Sequence, residues 1–301
     1  MRRSGLTEIL VLSDGRSLEY LTGGDPDGFP FVYHSGTPSA AVVDPLVQHA
    51  AQRAGLRLVT YSRPGYGRSS PRPTPGDWPV PIAADADDTT DLLDHLGLGE
   101  FVTLGWSGGG PRALACAATM PHRCLAAVSL AGVAPYDAPG LDWADGMGPE
   151  NVRDFEAALA GREAYAAIAA EQAEELAAVT AADIVAAFGG LVDEVDAAAL
   201  SDDMGASVAA SFNHAVTQGP GGMVEDTLQI VRPWGFELAD ITVPVAVWQG
   251  AHDKMVPFAH GKWLAEAIPG ARPHLYDDEG HISLGAKMGE ILLDLRGLAG
   301  L

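Results

Sequence analysis

The sequence predicts an α/β fold: a mostly parallel sheet flanked by helices, with a helical segment inserted between two core strands. Three observations carry this. Short apolar, β-prone runs alternate with helical patterns along most of the 301 residues, as expected of strands joined by crossover helices. Several runs, such as Val243-Pro244-Val245-Ala246-Val247-Trp248, are almost continuously apolar, as strands covered on both faces are. Residues 135–236 hold no convincing strand, a far longer gap than the few residues of an ordinary connection.

The elements follow in order. Residues 7–12 and 17–21 flank Asp14-Gly15 and read as a hairpin, because Asp-Gly tolerates the positive φ of a tight turn. Further strands are expected over 29–34, 56–62, 101–106, 124–131, 243–249 and 272–276, and helices over 45–54, 82–96, 111–120, 258–268 and 286–298. The stretch 135–236, rich in alanine and acidic residues, shows helical patterns over 150–160, 162–179 and 181–191. We read 1–134 and 237–301 as one core and 135–236 as a lid over the sheet edge that carries the chemistry. Arg72-Pro73-Thr74-Pro75-Gly76-Asp77 reads as a loop within the core, not a domain linker.

Composition narrows the function. An apolar content of 47% excludes a mostly disordered chain. Forty acidic residues against 18 basic ones give a charge of −22, which argues against nucleic acid and anionic membrane surfaces as partners. Two cysteines, Cys116 and Cys124, cannot build a disulfide framework and fit a reducing compartment. No apolar stretch follows Met1-Arg2-Arg3 before Asp14, and none nears the ~18 residues of a spanning helix. The expectation is a soluble, cytoplasmic protein acting on a small molecule. Nothing in the sequence bears on its oligomeric state.

The chemistry is concentrated at Gly105-Trp106-Ser107-Gly108-Gly109-Gly110-Pro111. An apolar strand runs straight into a serine among glycines and then into a small-residue helix, which fits a sharp turn presenting a strained serine as nucleophile. Glycine is a poor helix opener, at about 1 kcal/mol each relative to alanine, so three in a row point to close backbone approach. Pro111 is harmless there because first-turn N–H groups have no intrahelical partner.

A serine hydroxyl needs a base, and the base needs an orienting carboxylate. Of nine histidines, His281 is the best base, because it follows the last strand in a polar loop beside Gly280. Asp253, just past the apolar run 243–248, is the best orienting acid. Asp277 and Asp278 share the loop of His281 and are expected to face solvent, and Asp137 is a minor alternative. Negative charge developing on a substrate carbonyl needs two N–H donors. Gly108, next to the serine at a helix N-terminus, is one candidate, and Thr37, with Gly36 second, is the other. Tyr33, His34, Trp106, Trp143, Met147, Phe212, Met223 and Trp234 are candidates to line an apolar pocket, although core packing explains any one of them as well.

Taken together, these residues make the chain resemble the α/β-hydrolase superfamily. The resemblance rests on His34-Ser35-Gly36-Thr37-Pro38, Arg63-Pro64-Gly65-Tyr66-Gly67-Arg68-Ser69, the serine turn, Gly250-Ala251-His252-Asp253-Lys254-Met255-Val256-Pro257 and Gly280-His281. The order Ser107, Asp253, His281 is that family's order. The resemblance implies a serine nucleophile, no cofactor, and a helical cap between core strands six and seven. There are two departures: Ser35 separates His34 from Gly36, and Ser62 stands where an aspartate commonly precedes Arg-Pro-Gly. A serine rather than an aspartate at position 107 argues against epoxide hydrolases and haloalkane dehalogenases. The expected reaction is hydrolysis of a carboxylic ester or lactone. Alternatives on the same residues are C–C bond hydrolysis, a proline-iminopeptidase-like amidase, cofactor-free haloperoxidation, and a non-hydrolytic ligand-binding or lyase role.

Overall fold

The computed structural model describes residues 7–74, 76–184 and 188–301. Its strands are β1 (Glu8–Val11), β2 (Ser17–Gly24), β3 (Phe29–His34), β4 (Leu56–Tyr61), β5 (Phe101–Trp106), β6 (Cys124–Leu130), β7 (Val245–Gly250) and β8 (Arg272–Tyr276). They form one 8-stranded sheet in the order β1-β2-β4-β3-β5-β6-β7-β8. β1 and β2 pair antiparallel, β2 joins β4 antiparallel, and every later pairing is parallel. The registers Tyr33↔Leu104, Gly105↔Ser129 and Leu130↔Trp248 bring the C-terminal ends of β3, β5, β6 and β7 to one edge. In open parallel sheets that edge is where ligands sit.

Alternation along the strands divides the core between the two faces. In β7, Val245 and Val247 enter one apolar cluster while Ala246 and Trp248 enter the other. Helices α2 (Asp85–His95), α3 (Gly110–Thr119) and α9 (Phe258–Ala267) bring apolar side chains to the first cluster, and α1 (Pro45–Arg53) and α10 (Met288–Leu298) to the second. α1 starts where it does because Asp44 Oδ1 accepts the Leu46 N–H at 2.9 Å and Pro45 opens the helix. Such a cap contributes about 1 kcal/mol.

Between β6 and β7 the chain is helical: α4 (Pro149–Ala160), α5 (Arg162–Ala178), α6 (Glu194–Ala199), α7 (Asp202–Ala215) and α8 (Gly221–Ile230). Gly161, at φ 128°, separates α4 from α5. The helix expected over 181–191 includes 185–187, which lie outside the described residues. Its described ends are 3₁₀ turns, Ala181–Asp183 and Gly189–Leu191. Asp193 caps α6 and Ser201 caps α7. Among the described residues no helix is long and apolar enough to cross a membrane.

Buried charge joins this helical segment to the sheet. Glu19 on β2, fully buried, accepts hydrogen bonds from Ser62 Oγ at 2.9 Å, Arg68 Nε at 2.7 Å and the Arg68 N–H at 3.0 Å. It also pairs with His214 Nε2 on α7 at 2.8 Å. The carboxylate absent at Ser62 is therefore supplied from the neighbouring strand.

Candidate functional site

β5 ends at Trp106, and Ser107 takes φ 57°, a left-handed conformation that an L-residue rarely adopts. Holding it there stores on the order of 1–2 kcal/mol, which the packing around it sustains. The strand and the following helix approach so closely that glycine is required: a Cβ on Gly105 would lie 2.0 Å from the Gly109 carbonyl oxygen, and one on Gly109 would lie 2.1 Å from the His34 carbonyl oxygen. The turn thus leaves Ser107 lining a cavity at the C-terminal edge of the sheet.

His281 lines the same cavity and is otherwise buried. Its Nδ1 lies 2.8 Å from Asp253 Oδ2, and since a carboxylate only accepts, Nδ1 carries the proton and Nε2 is left for the cavity side. Asp253 is itself immobilised: Oδ1 accepts the Met255 and Val256 N–H groups at 2.8 and 2.7 Å, and Oδ2 also accepts Gln249 Nε2 at 2.8 Å. Burial opposes a charge on the His281 ring, but the Asp253 carboxylate, its hydrogen bond and Asp196 outweigh it, so the pKa stands above the ordinary 6.5. Asp277 and Asp278 are exposed, as their loop predicts, and Asp137 is exposed too. Ser107 Oγ makes no hydrogen bond among the described residues, and it shares the cavity with His281.

The loop after β3 closes against the serine turn. A Cβ on Gly36 would lie 3.3 Å from Ser107 Cβ, and one on Gly108 would lie 3.4 Å from the Thr37 backbone nitrogen. The Thr37 N–H donates to no group among the described residues. Sequence reasoning missed what holds this loop. Arg63, 1% exposed, donates from Nη1 to the Ser35 carbonyl at 2.7 Å and from Nη2 to the Gly36 carbonyl at 2.8 Å. Its Nη2 also donates to Asp226 Oδ2 on α8 at 2.6 Å, and the Thr37 hydroxyl donates to the same oxygen at 2.8 Å. Arg112, fully buried in α3, donates to the Gly108 carbonyl at 2.7 Å and to Asp226 Oδ1 at 3.0 Å. Burial alone would push the Asp226 carboxyl up, but the two guanidiniums hold it below the usual carboxylate range. One carboxylate from the helical segment thus braces both backbone turns beside Ser107.

The cavity has a volume of about 450 Å³. Of the expected lining residues it takes Tyr33, Trp106 and Phe212. The others are corrected by their packing. His34 faces the opposite way, 2% exposed, with Nε2 3.6 Å from Cys116 Sγ. Trp143 donates to the Ala134 carbonyl at 2.8 Å and packs edge-on against Phe155 and His260. Met147 and Trp234 lie in the core cluster beside α3, and Met223 packs with Tyr66 and Tyr165. Apolar character alone does not separate a wall from a core. The helical segment instead offers Phe188, Leu200 and Met204 to the cavity. Among the described residues no group of three or more His, Cys, Asp and Glu is arranged to hold a metal ion.

Comparison with known proteins follows the same lines. The chain is 33% identical over 156 residues to a non-heme chloroperoxidase of Streptomyces lividans, a match spanning 52% of this chain and only about half, 55%, of that relative. It is 26% identical over 301 residues to a proline iminopeptidase of Neisseria gonorrhoeae, covering 94% of this chain and 93% of the relative. The crystal structure of an enol-lactonase from Burkholderia xenovorans LB400 superposes with a TM-score of 0.65 over 98% of this chain and 100% of that one, at 21% identity, which speaks for the fold alone. A family model of the alpha/beta hydrolase fold matches residues 30–286, and the chain belongs to that family.

Proposed function

We propose that the protein is a serine hydrolase that cleaves a carboxylic ester or lactone of a small to medium apolar substrate through an acyl-enzyme. The observation that carries this reading is one cavity shared by a strained serine and by a histidine whose far nitrogen is held at 2.8 Å by a buried carboxylate. His281 Nε2 takes the Ser107 proton as Oγ bonds to the substrate carbonyl carbon. The resulting oxyanion is held by the Gly108 and Thr37 N–H groups, with Gly36 beside them. Collapse breaks the ester C–O bond, and the imidazolium proton goes to the departing alkoxide. Water then gives its proton to His281 while its oxygen bonds to the acyl carbon, and Ser107 leaves with the proton returned. Asp253 keeps the ring in the tautomer that each step needs.

The size of the cavity supports a small-molecule substrate, since such sites hold roughly 300–1,000 Å³. Its walls combine core residues such as Tyr33 and Trp106 with Phe188, Leu200, Met204 and Phe212 from the helical segment, which supports residues 135–236 acting as a cap on the core of 1–134 and 237–301. The near full-length likeness to a proline iminopeptidase favours a second reading, an amidase that frees an N-terminal residue. Such an enzyme needs a carboxylate free to hold an ammonium group. Among the described residues the acidic side chains on the cavity are Asp44, half-buried with Oδ1 taken up in capping α1, and Asp203, which is exposed, so neither is a buried carboxylate set aside for an ammonium group. We therefore place esters and lactones first.

Turnover on matched panels of p-nitrophenyl esters, lactones and aminoacyl p-nitroanilides tests this. Ester or lactone hydrolysis that falls by several orders of magnitude in Ser107→Ala is expected. Turnover of prolyl anilide without ester hydrolysis would move the assignment to the amidase, and a Ser107→Ala variant with near-normal turnover would remove the serine mechanism.

A further inference from the structure

The Asp253 hydrogen bond fixes the tautomer and tilt of the His281 ring, but where the ring stands relative to Ser107 depends on the backbone that carries it. That backbone is held from outside its own domain. Asp196, on α6 of the helical segment, is fully buried. Its Oδ2 accepts the His281 N–H at 2.9 Å, and its Oδ1 accepts the Ile282 and Ser283 N–H groups at 2.8 and 2.9 Å. Three successive N–H groups at the start of the 3₁₀ turn Ser283–Lys287 thus converge on one side chain. Gly280 is shaped to admit it, because a Cβ there would lie 2.3 Å from Asp196 Oδ1.

We propose that Asp196 is a positioning residue that sets His281 relative to Ser107, so that seating of the helical segment and competence of the base are one event. The proposal rests on the serine-hydrolase reading given above. A buried carboxylate is well suited to this task, because charge-assisted bonds to backbone N–H groups are short and strong and fix the loop in one geometry. Its charge acts on the ring as well. The charged groups acting on His281 are Asp253, from the loop after β7, and Asp196, from α6. Lys287 and Glu279, on the loop's own flanks, pair with each other at 3.1 Å. Losing the Asp196 charge therefore lowers the pKa of His281, and losing its hold on the loop slows the reaction of Ser107, which a cap that only stabilised the 3₁₀ turn would not do.

The test compares the wild type with Asp196→Asn, Gly280→Ala and, as a charge control on the same helix, Glu194→Gln. Two readouts are used: titration of the His281 ring by NMR, and the rate at which a fluorophosphonate probe labels Ser107. In Asp196→Asn, His281 is expected to titrate at lower pH and labelling to slow by about tenfold or more, as misplacement of a catalytic group does. Gly280→Ala, which keeps the charge but displaces it, should slow labelling too, and it decides the matter if Asp196→Asn fails to fold. Glu194→Gln should match the wild type. An unmoved His281 titration in Asp196→Asn, or wild-type labelling in both variants, overturns the proposal. A wild-type protein that the probe never labels overturns the serine-hydrolase reading instead, and the ring titration still decides whether Asp196 governs His281.

Discussion

Asp226→Asn tests the bracing of the candidate site by the helical segment. The carboxylate is 3% exposed, and it faces Arg63 and Arg112, which are 1% and 0% exposed. Arg112 keeps Asp85 Oδ2 at 3.1 Å and Gln229 Oε1 at 2.7 Å after the substitution. Arg63 keeps two carbonyls, the Thr37 hydroxyl and the Tyr66 ring, none of them charged. Removing one partner of a buried ion pair costs about 3–5 kcal/mol, because the remaining charge is left without compensation. The partners left to Arg112 set the expectation at the lower end, about 3 kcal/mol. Urea unfolding followed by tryptophan fluorescence reads this directly. With a slope of about 3 kcal/mol per M, the midpoint should fall by about 1 M. The Ser35–Thr37 loop loses its anchor at the same time, so Ser107 labelling should slow in the variant while it is still folded. A midpoint within about 0.2 M of the wild type at unchanged slope would show that the carboxylate carries no such load.

Three further outcomes follow from other sites. Burial would raise the Glu19 carboxyl, but His214, Arg68 and Ser62 bring it down from 4.5 to about 2. Its contribution, at most about 3 kcal/mol, is present above pH 4.5 and lost as pH falls toward 2. The Tm of Glu19→Gln should therefore lie below the wild type at pH 6, by a margin that narrows below pH 4.5 and closes as pH falls to about 2, and parallel curves would refute the linkage. Because the raised pKa of His281 keeps the ring charged to higher pH, kcat/KM should fall on the acid side through a limb above 6.5. A profile flat from about pH 5 to 8 would refute a histidine base. In Gly105→Ala the new methyl meets the Gly109 carbonyl oxygen. Labelling of Ser107 should collapse, and unchanged Tm and labelling would contradict the close packing of the turn.

What was legible in the sequence was whatever depends on local chemistry. Strands 29–34 and 101–106 fall where their apolar runs place them, because a strand buried on both faces must be apolar throughout, and the partly exposed edge strand 272–276 also falls where expected. Ser107, Asp253 and His281 were each found from a turn or loop following a strand, and the parallel sheet brings such turns to one edge. The braces were not legible. Asp196 and Asp226 are two among 40 acidic residues, and the partners of Asp226 stand 163 and 114 positions away. On the arginine side there were signals: Arg63 opens the Arg-Pro-Gly run, and Arg112 is a charge directly after Pro111 in a helix of small residues. The short helix α6 went unseen because Glu194–Ala199 is too brief to show a period. The cavity wall was illegible for a related reason: Trp143, Met147, Met223 and Trp234 are as apolar as Phe212, and only tertiary packing tells them apart.

The central claim is that Ser107 is a nucleophile activated by His281, and peptide mapping by mass spectrometry after exposure to a fluorophosphonate at neutral pH tests it most directly. One adduct on the peptide bearing Ser107, absent in Ser107→Ala and strongly slowed in His281→Ala, is the predicted result. A folded protein that takes up no label, or carries it on another residue, would contradict the account.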